Sequence, residues 1–295
     1  MQIDFLIPRN PFKEFAGIEN NTLNIIYALK NKGYKLKVIT TDIDNNSFEK
    51  DGIRFICYKR EIIGKEMYFS IGTWLEILNS KADIIYANGF NNLVTFAGLL
   101  FKKQKQKLIL WLASSGSSSF LRKILWIPYL LIFNLLAKRI DQIICISEFE
   151  KENFEKLLFM VHKNKFEVVP IGIHIENFRK IKIKQRDKNL IISVGRLVKN
   201  KGFLHLLKAF KIAKKMKPNL KLKIIGDGPQ KNELEKFSKE NNLGVNFLGE
   251  IGLKKSQKLI KLYKKAALFV LLSDYESQGV AVAEAITAET PCIVS

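Results

Sequence analysis

Cysteine is scarce in this chain. Cys57, Cys145 and Cys292 are too few and too scattered for a disulfide framework or a zinc site. The composition fits a reducing, intracellular compartment, and the cytoplasm is the expected location. No apolar run is long enough to span a bilayer. The longest, Ile124 to Ala137, is interrupted by Pro128 and Asn134, whereas a spanning helix needs ~20 apolar residues. The opening residues MQIDFLIPRN lack a basic stretch followed by a long apolar one, so no secretory signal is read. Secreted and integral-membrane classes are disfavoured; attachment to a membrane surface is not. Gly-x-Gly-x-x-Gly is missing after the first strand-like run, which counts against a nicotinamide or flavin dehydrogenase. Acid is under-represented: 28 Asp and Glu against 49 Lys and Arg leave a net charge of +21. The excess concentrates in residues 177–295, with 25 basic and 10 acidic residues. No zinc-finger, RRM or helix-turn-helix signature accompanies the charge, so no nucleic-acid partner is expected. The chain is rich in Lys, Asn, Ile and Phe throughout, as an AT-rich genome produces. The other reading is attraction to anionic lipid or to a phosphorylated small molecule.

What is present describes a globular α/β chain. Its 295 residues suit two domains of ordinary size, and apolar residues make up 47%. Short apolar runs alternate with longer amphipathic stretches. Met1–Pro8, Lys35–Thr40, Asp83–Ala87, Lys107–Leu112, Gln142–Ile146 and Glu167–Pro170 read as strands, and Glu19–Lys32 as a helix closed by Gly33. Ile175–Asn189 reads as a charged, low-complexity connector. A second series of strands follows at Leu190–Val194, Leu220–Ile225, Val245–Leu248, Leu268–Leu272 and Pro291–Ser295. The expectation is two Rossmann-like, doubly wound parallel-sheet domains, residues 1–176 and 177–295, facing a cleft. Ligands of such folds sit at the C-terminal ends of the strands.

Three strand ends carry chemistry. Val194-Gly195-Arg196-Leu197 precedes Lys199-Asn200-Lys201-Gly202. Arg196 and Lys201 place two cations at one strand end, which suits a diphosphate: the guanidinium fork binds oxygens in pairs and Lys adds a point charge. A tight turn with solvated cations is the alternative. Gly226-Asp227-Gly228-Pro229 reads either as turn punctuation or as backbone lying against a ligand. The most informative segment runs from Ser273 to Ala285. A polar loop leaves an apolar strand, and Gly279 opens an Ala-rich helix. Backbone N–H groups around Gln278–Val280 would lack acceptors at the helix start and form an anion site. Glu276 precedes that site and Glu284 lies inside the helix. Carboxylates repel a diphosphate, so these two suit sugar hydroxyls. A capped surface helix with two solvated acids is the alternative, and the apolar surroundings weaken it for Glu284.

Glu276 and Glu284, with seven residues between them, resemble the paired-glutamate motif of retaining glycosyltransferases of family 4, which have the GT-B fold. Ile192–Arg196 followed by Lys201-Gly202, then Gly226–Pro229 and Phe247-Leu248-Gly249, fall in that family's order. Val169–His174 with Phe178 is similar to its interdomain segment. Ala16–Glu19, Asp83–Ala87 and Ile146-Ser147 fall in register in the first domain. The resemblance implies an acceptor-side domain followed by a donor-binding domain. It implies transfer of a sugar from a nucleotide-diphosphate sugar to a glycan or lipid-linked acceptor, in cell-surface polysaccharide or glycolipid synthesis, with no cofactor and no bound metal. Arg196 and Lys201 would neutralise the diphosphate, Glu284 would bind the ribose and Glu276 would face the transferred sugar. Ser277, Gln278 and Gly279 would offer backbone contacts, the backbone near Ile251 would touch the base, and Gly17 would lie in the loop approaching the phosphates.

The chain departs from the pattern in three places. The acceptor-side His after Lys107–Leu112 is replaced by Ala113–Ser119, leaving a hydroxyl or backbone carbonyl for that contact, or a reduced activity. His174, read as a linker residue, stands where an Asp is usual. Ser295 falls at what should be an internal strand, so the second domain is expected to be incomplete, with a sheet edge and an apolar helix face uncovered. The alternative functions are a degenerate, non-catalytic nucleotide-sugar binder or gene fragment, and a sugar-nucleotide epimerase of the same architecture. Phe120–Arg139 mixes Trp126, Tyr129 and Phe133 with Arg122, Lys123, Lys138 and Arg139. It fits an interfacial helix on the inner face of an anionic membrane, or a buried helix; aliphatic residues on every face favour burial.

Overall fold

Runs such as Gln2–Ile7 and Leu190–Val194 place apolar side chains on both faces of a strand, and both faces are covered. The computed structural model describes residues 1–13, 17–63, 67–90, 92–112, 120–251 and 256–295. The chain divides into two compact units, Met1–Ile171 and Gly172–Ser295.

The first unit runs β1 (Gln2–Ile7), α1 (Gly17–Asn31), β2 (Lys35–Asp42), β3 (Asn46–Lys50), β4 (Ile53–Lys59), β5 (Glu61–Ile63), β6 (Met67–Phe69), α2 (Ile71–Leu78) and β7 (Ile84–Asn88). It continues with α3 (Leu93–Phe101), β8 (Lys107–Trp111), α4 (Phe120–Ala137), β9 (Gln142–Cys145), α5 (Glu148–Leu157) and β10 (Phe166–Val168). Its sheet has the order β10-β9-β8-β7-β1-β2-β4-β3. All neighbours are parallel except β3, which pairs antiparallel with β4 at the edge. In β1, Phe5 and Ile7 join one core while Leu6 joins the core on the opposite face. This alternation is what a two-sided sheet requires.

The second unit runs α6 (Ile175–Arg179), β11 (Asp187–Val194), α7 (Phe203–Met216), β12 (Lys221–Ile225), α8 (Lys231–Glu240), β13 (Asn246–Phe247), α9 (Ser256–Lys265), β14 (Ala266–Leu271), α10 (Val280–Thr287) and β15 (Cys292–Val294). The sheet is parallel, in the order β13-β12-β11-β14-β15. Phe269 and Leu271 of β14 enter one core with α9 and α10, and Val270 enters the other with α7. Phe203, Phe269 and Tyr263 are essentially inaccessible, and each such burial is worth ~2–3 kcal/mol. Strand order reverses between β11 and β14, because the chain moves outward one way through β12 and β13 and the other way through β15.

Two sequence expectations need correction. Residues 175–189 are not a bare connector: α6 forms there, and Phe178 and Ile181 are buried in the second unit's core. The charged composition conceals those two anchors. The burial expected of the Phe120–Arg139 helix holds for one face of α4 only. Tyr129, Phe133, Asn134 and Ala137 are buried, while Leu131, Ile132 and Leu135 are more than half exposed. The side chains of residues 120–127, Trp126 among them, lie outside the described ones.

Candidate functional site

The site is built from the loops leaving the C-terminal ends of β11, β12 and β14. Gly202, in left-handed backbone at φ +65°, caps the start of α7; a Cβ there would lie 1.7 Å from the Leu272 carbonyl oxygen. Only glycine lets the β11 loop come this close to the β14 loop. The Asp274 N–H then donates to the Asn200 carbonyl at 2.9 Å. The β12 loop is tied in as well: Gly195 N–H donates to Ile225 O at 3.0 Å and Leu197 N–H to Asp227 O at 2.9 Å. A Cβ on Gly226 would fall 1.9 Å from Gly195 O. What approaches this glycine is therefore the neighbouring loop's backbone.

Across this seam the Lys201 ammonium is paired with Glu276 Oε1, and Ser273 Oγ donates to the same oxygen at 3.0 Å. Lys201 and Glu276 lie 75 residues apart and both are mostly shielded, at 19% and 29% side-chain exposure. Arg196 is exposed at the end of β11 on the same loop as Lys201. Ser277 and Gln278 follow Glu276, half-buried, and lead to Gly279. Gly279 caps α10 in left-handed backbone, without a side-chain cap and with no acid in the first turn. Val282 and Ala283 N–H both donate to Gly279 O, so the amides before them have no acceptor within the helix.

Glu284 sits further along α10, half-buried, and accepts from the Tyr263 hydroxyl at 2.9 Å. Burial pushes its carboxyl above the ordinary glutamate range, and the Tyr263 hydrogen bond acts against that rise. Ile251 packs on the core that α9 and α10 share. Gly17 begins α1 in the other unit. Ala16 and the Ala113–Ser119 segment lie outside the described residues. His174 is exposed at the N-terminal end of α6 and makes no cap hydrogen bond. Among the described residues, no group of three His, Cys, Asp or Glu is placed to hold a metal ion, and no helix is long and apolar enough to cross a membrane.

Sequence reasoning missed Tyr263. In the amphipathic run SQKLIKLYKK it falls on the apolar face, and nothing in that pattern separates a packed ring from one whose hydroxyl holds a carboxylate. The contact of Asn200 with Asp274 is also illegible locally, because it is made by backbone alone.

The pattern of Glycosyltransferase Family 4 matches residues 15–177, more than half of the chain, and that of Glycosyl transferases group 1 matches residues 174–295. The chain belongs to glycosyltransferase family 4. Among curated family relatives, alpha-monoglucosyldiacylglycerol synthase of Acholeplasma laidlawii is 30% identical over 157 residues, which are 49% of this chain and 39% of that protein. The Escherichia coli UDP-Gal:alpha-D-GlcNAc-diphosphoundecaprenol alpha-1,3-galactosyltransferase is 30% identical over 178 residues, 54% of this chain and 43% of that one. The matched stretches thus span less than half of these relatives' lengths. Among solved structures, Anabaena HepE in complex with UDP and glucose aligns with a TM-score of 0.72 at 17% identity, over 100% of this chain and 80% of that one. A point mutant of S. aureus TarM, in a complex containing UDP, gives 0.71 at 13% identity, over 100% and 85%. The family-4 chain has the GT-B class of fold, and each unit carries a doubly wound sheet.

Proposed function

We propose that the chain is a retaining, metal-independent glycosyltransferase that moves a sugar from a nucleotide-diphosphate donor to a glycan or lipid-linked acceptor. One observation carries this reading. At the topological switch point of the second sheet, between β11 and β14, a lysine, a carboxylate and the uncapped start of α10 come together. That is where ligands of doubly wound sheets bind. Transfer breaks the bond between the sugar's anomeric carbon and the diphosphate and leaves negative charge on the nucleotide. Arg196, the first amides of α10 and Lys201, once it exchanges its contact with Glu276, would donate to that charge in place of a metal. Glu276 faces the departing sugar, Glu284 holds the ribose, and the backbone of Ser277, Gln278 and Gly279 contacts sugar and phosphate. The backbone near Ile251 touches the base. The first unit serves the acceptor. The names of the relatives support glycolipid or surface-polysaccharide synthesis. The structural neighbours were solved with UDP, which supports a nucleotide-sugar donor.

A membrane surface fits the same reading. Leu131, Ile132 and Leu135 form an exposed apolar strip on α4, with Lys138 and Arg139 exposed at its C-terminal end. Such a face suits insertion into headgroups with Lys138 near lipid phosphates, and it supports peripheral docking on the inner face of the cell membrane as part of this reading.

The test is turnover. Radiolabelled UDP-, GDP- and ADP-hexoses are incubated with the protein and a bacterial lipid and glycan extract. Label enters the acceptor fraction with one donor class, and the product linkage keeps the donor's anomeric configuration by NMR. Nucleotide binding without label transfer from any donor would overturn the catalytic reading and leave the non-catalytic binder in its place.

A further inference from the structure

Glu284 is half-buried on α10, and Tyr263 is the residue that answers its carboxylate. Tyr263 rises from α9, wholly inaccessible, with its ring 5.8 Å from Phe269. Its backbone carbonyl accepts from Thr290 Oγ1 at 2.7 Å, and its hydroxyl donates to Glu284 Oε2 at 2.9 Å. The residue is therefore gripped at both ends. A phenylalanine would fill the same volume, and a core needing only volume has no use for a buried hydroxyl, which costs stability unless it is bonded. The hydroxyl does have a use if the carboxylate must point one way. A bond to Oε2 fixes the carboxylate plane and leaves Oε1 to accept from another donor.

We propose that Tyr263 is a positioning residue for donor binding: its hydroxyl holds the Glu284 carboxylate in the orientation that presents Oε1 to the ribose hydroxyls of the nucleotide. The inference rests on Glu284 binding the ribose. Tyr263 touches no substrate itself and acts through Glu284. Burial works against the charged form that ribose binding needs, and the Tyr263 hydrogen bond works for it.

The experiment compares UDP with 2′,3′-dideoxy-UDP by calorimetry on the whole chain. Wild type binds UDP about tenfold or more tightly, as hydrogen bonds to a charged group imply. Tyr263→Phe cuts that preference at least threefold and leaves the dideoxy affinity within about twofold, because only the ribose contact depends on the hydroxyl. If the single variant fails to fold, the comparison of Glu284→Gln with Tyr263→Phe/Glu284→Gln, in which no charge is buried unpaired, carries the test: the added Tyr263→Phe changes neither affinity by more than about twofold, and a further loss with both nucleotides marks a structural role and overturns the proposal. A Tyr263→Phe protein that keeps the full preference overturns the proposal. Equal weakening of both nucleotides also overturns it, since that is what a structural role produces. Failure of the underlying reading looks different: Glu284→Ala then keeps the wild-type preference, or wild type has none.

Discussion

Lys201 cannot serve a donor diphosphate without renegotiating its contact with Glu276. The two side chains meet across the β11–β14 seam, and Ser273 adds a second donor to the same carboxylate oxygen. A diphosphate arriving at Lys201 competes with that oxygen and also meets its negative charge. Glu276→Gln removes the competitor and keeps the shape. Exposed ion pairs are worth ~0.2–1 kcal/mol and charge-assisted hydrogen bonds ~1.5–3 kcal/mol. At 19% and 29% exposure this pair belongs between them, at about 1 kcal/mol. UDP binding should therefore tighten about fivefold in Glu276→Gln. Transfer should fall by about 100-fold or more, because the charge facing the departing sugar is gone. Calorimetry with UDP and initial rates with the active donor read the two effects on one preparation. Tighter binding with lost turnover is the expected signature. An unchanged or weaker UDP affinity would refute the competition argument, and a retained rate would refute the role given to Glu276.

Glu284 gives a pH-dependent prediction. Its folded carboxyl is raised by burial, so the folded chain binds a proton that the unfolded chain releases. The associated stability is present at acid pH and is lost as pH rises through the folded value. Glu284→Gln should then have a higher Tm than wild type at pH 7.5, a difference that shrinks on acidification, while binding UDP about tenfold more weakly; equal Tm at both pH values would contradict this. Gly226→Ala forces a methyl to 1.9 Å from Gly195 O at φ +136°, so unfolding of the second unit in urea should lose about 3 kcal/mol or more. A loss under about 1 kcal/mol would show that the loop seam yields easily. For α4, the protein should sediment with anionic liposomes at physiological salt, and Leu131→Asp with Leu135→Asp should cut the bound fraction about tenfold or more. Wild-type protein left in the supernatant would remove the membrane from the account.

The alternation of apolar runs with amphipathic stretches was enough to read two parallel sheets, because strands buried on both faces leave a continuous apolar record. β3 left none: in Asn-Ser-Phe-Glu-Lys only Phe48 is apolar, and it is held by stacking on Phe55 at 5.1 Å, a contact made by pairing rather than by period. Phe178 and Ile181 were hidden in the same way by the lysines around them. In the candidate site, residues on one loop were legible from spacing, as with Glu276, Gly279 and Glu284. The pairing of Lys201 with Glu276 was not, because strand order alone puts the β11 and β14 loops side by side. The Gly226 turn could be read as ligand contact or as punctuation, and the structure shows a packing need that neither reading contained.

The central claim is that the β11 and β14 loops, with the start of α10, grip a nucleotide diphosphate. Titration calorimetry of the folded chain with UDP-, GDP- and ADP-hexoses tests it directly. The account predicts saturable heat with at least one of them, and a loss of at least about tenfold in affinity when Arg196 and Lys201 are both changed to Ala. No heat from any of the three classes, or full affinity in the double variant, would contradict it.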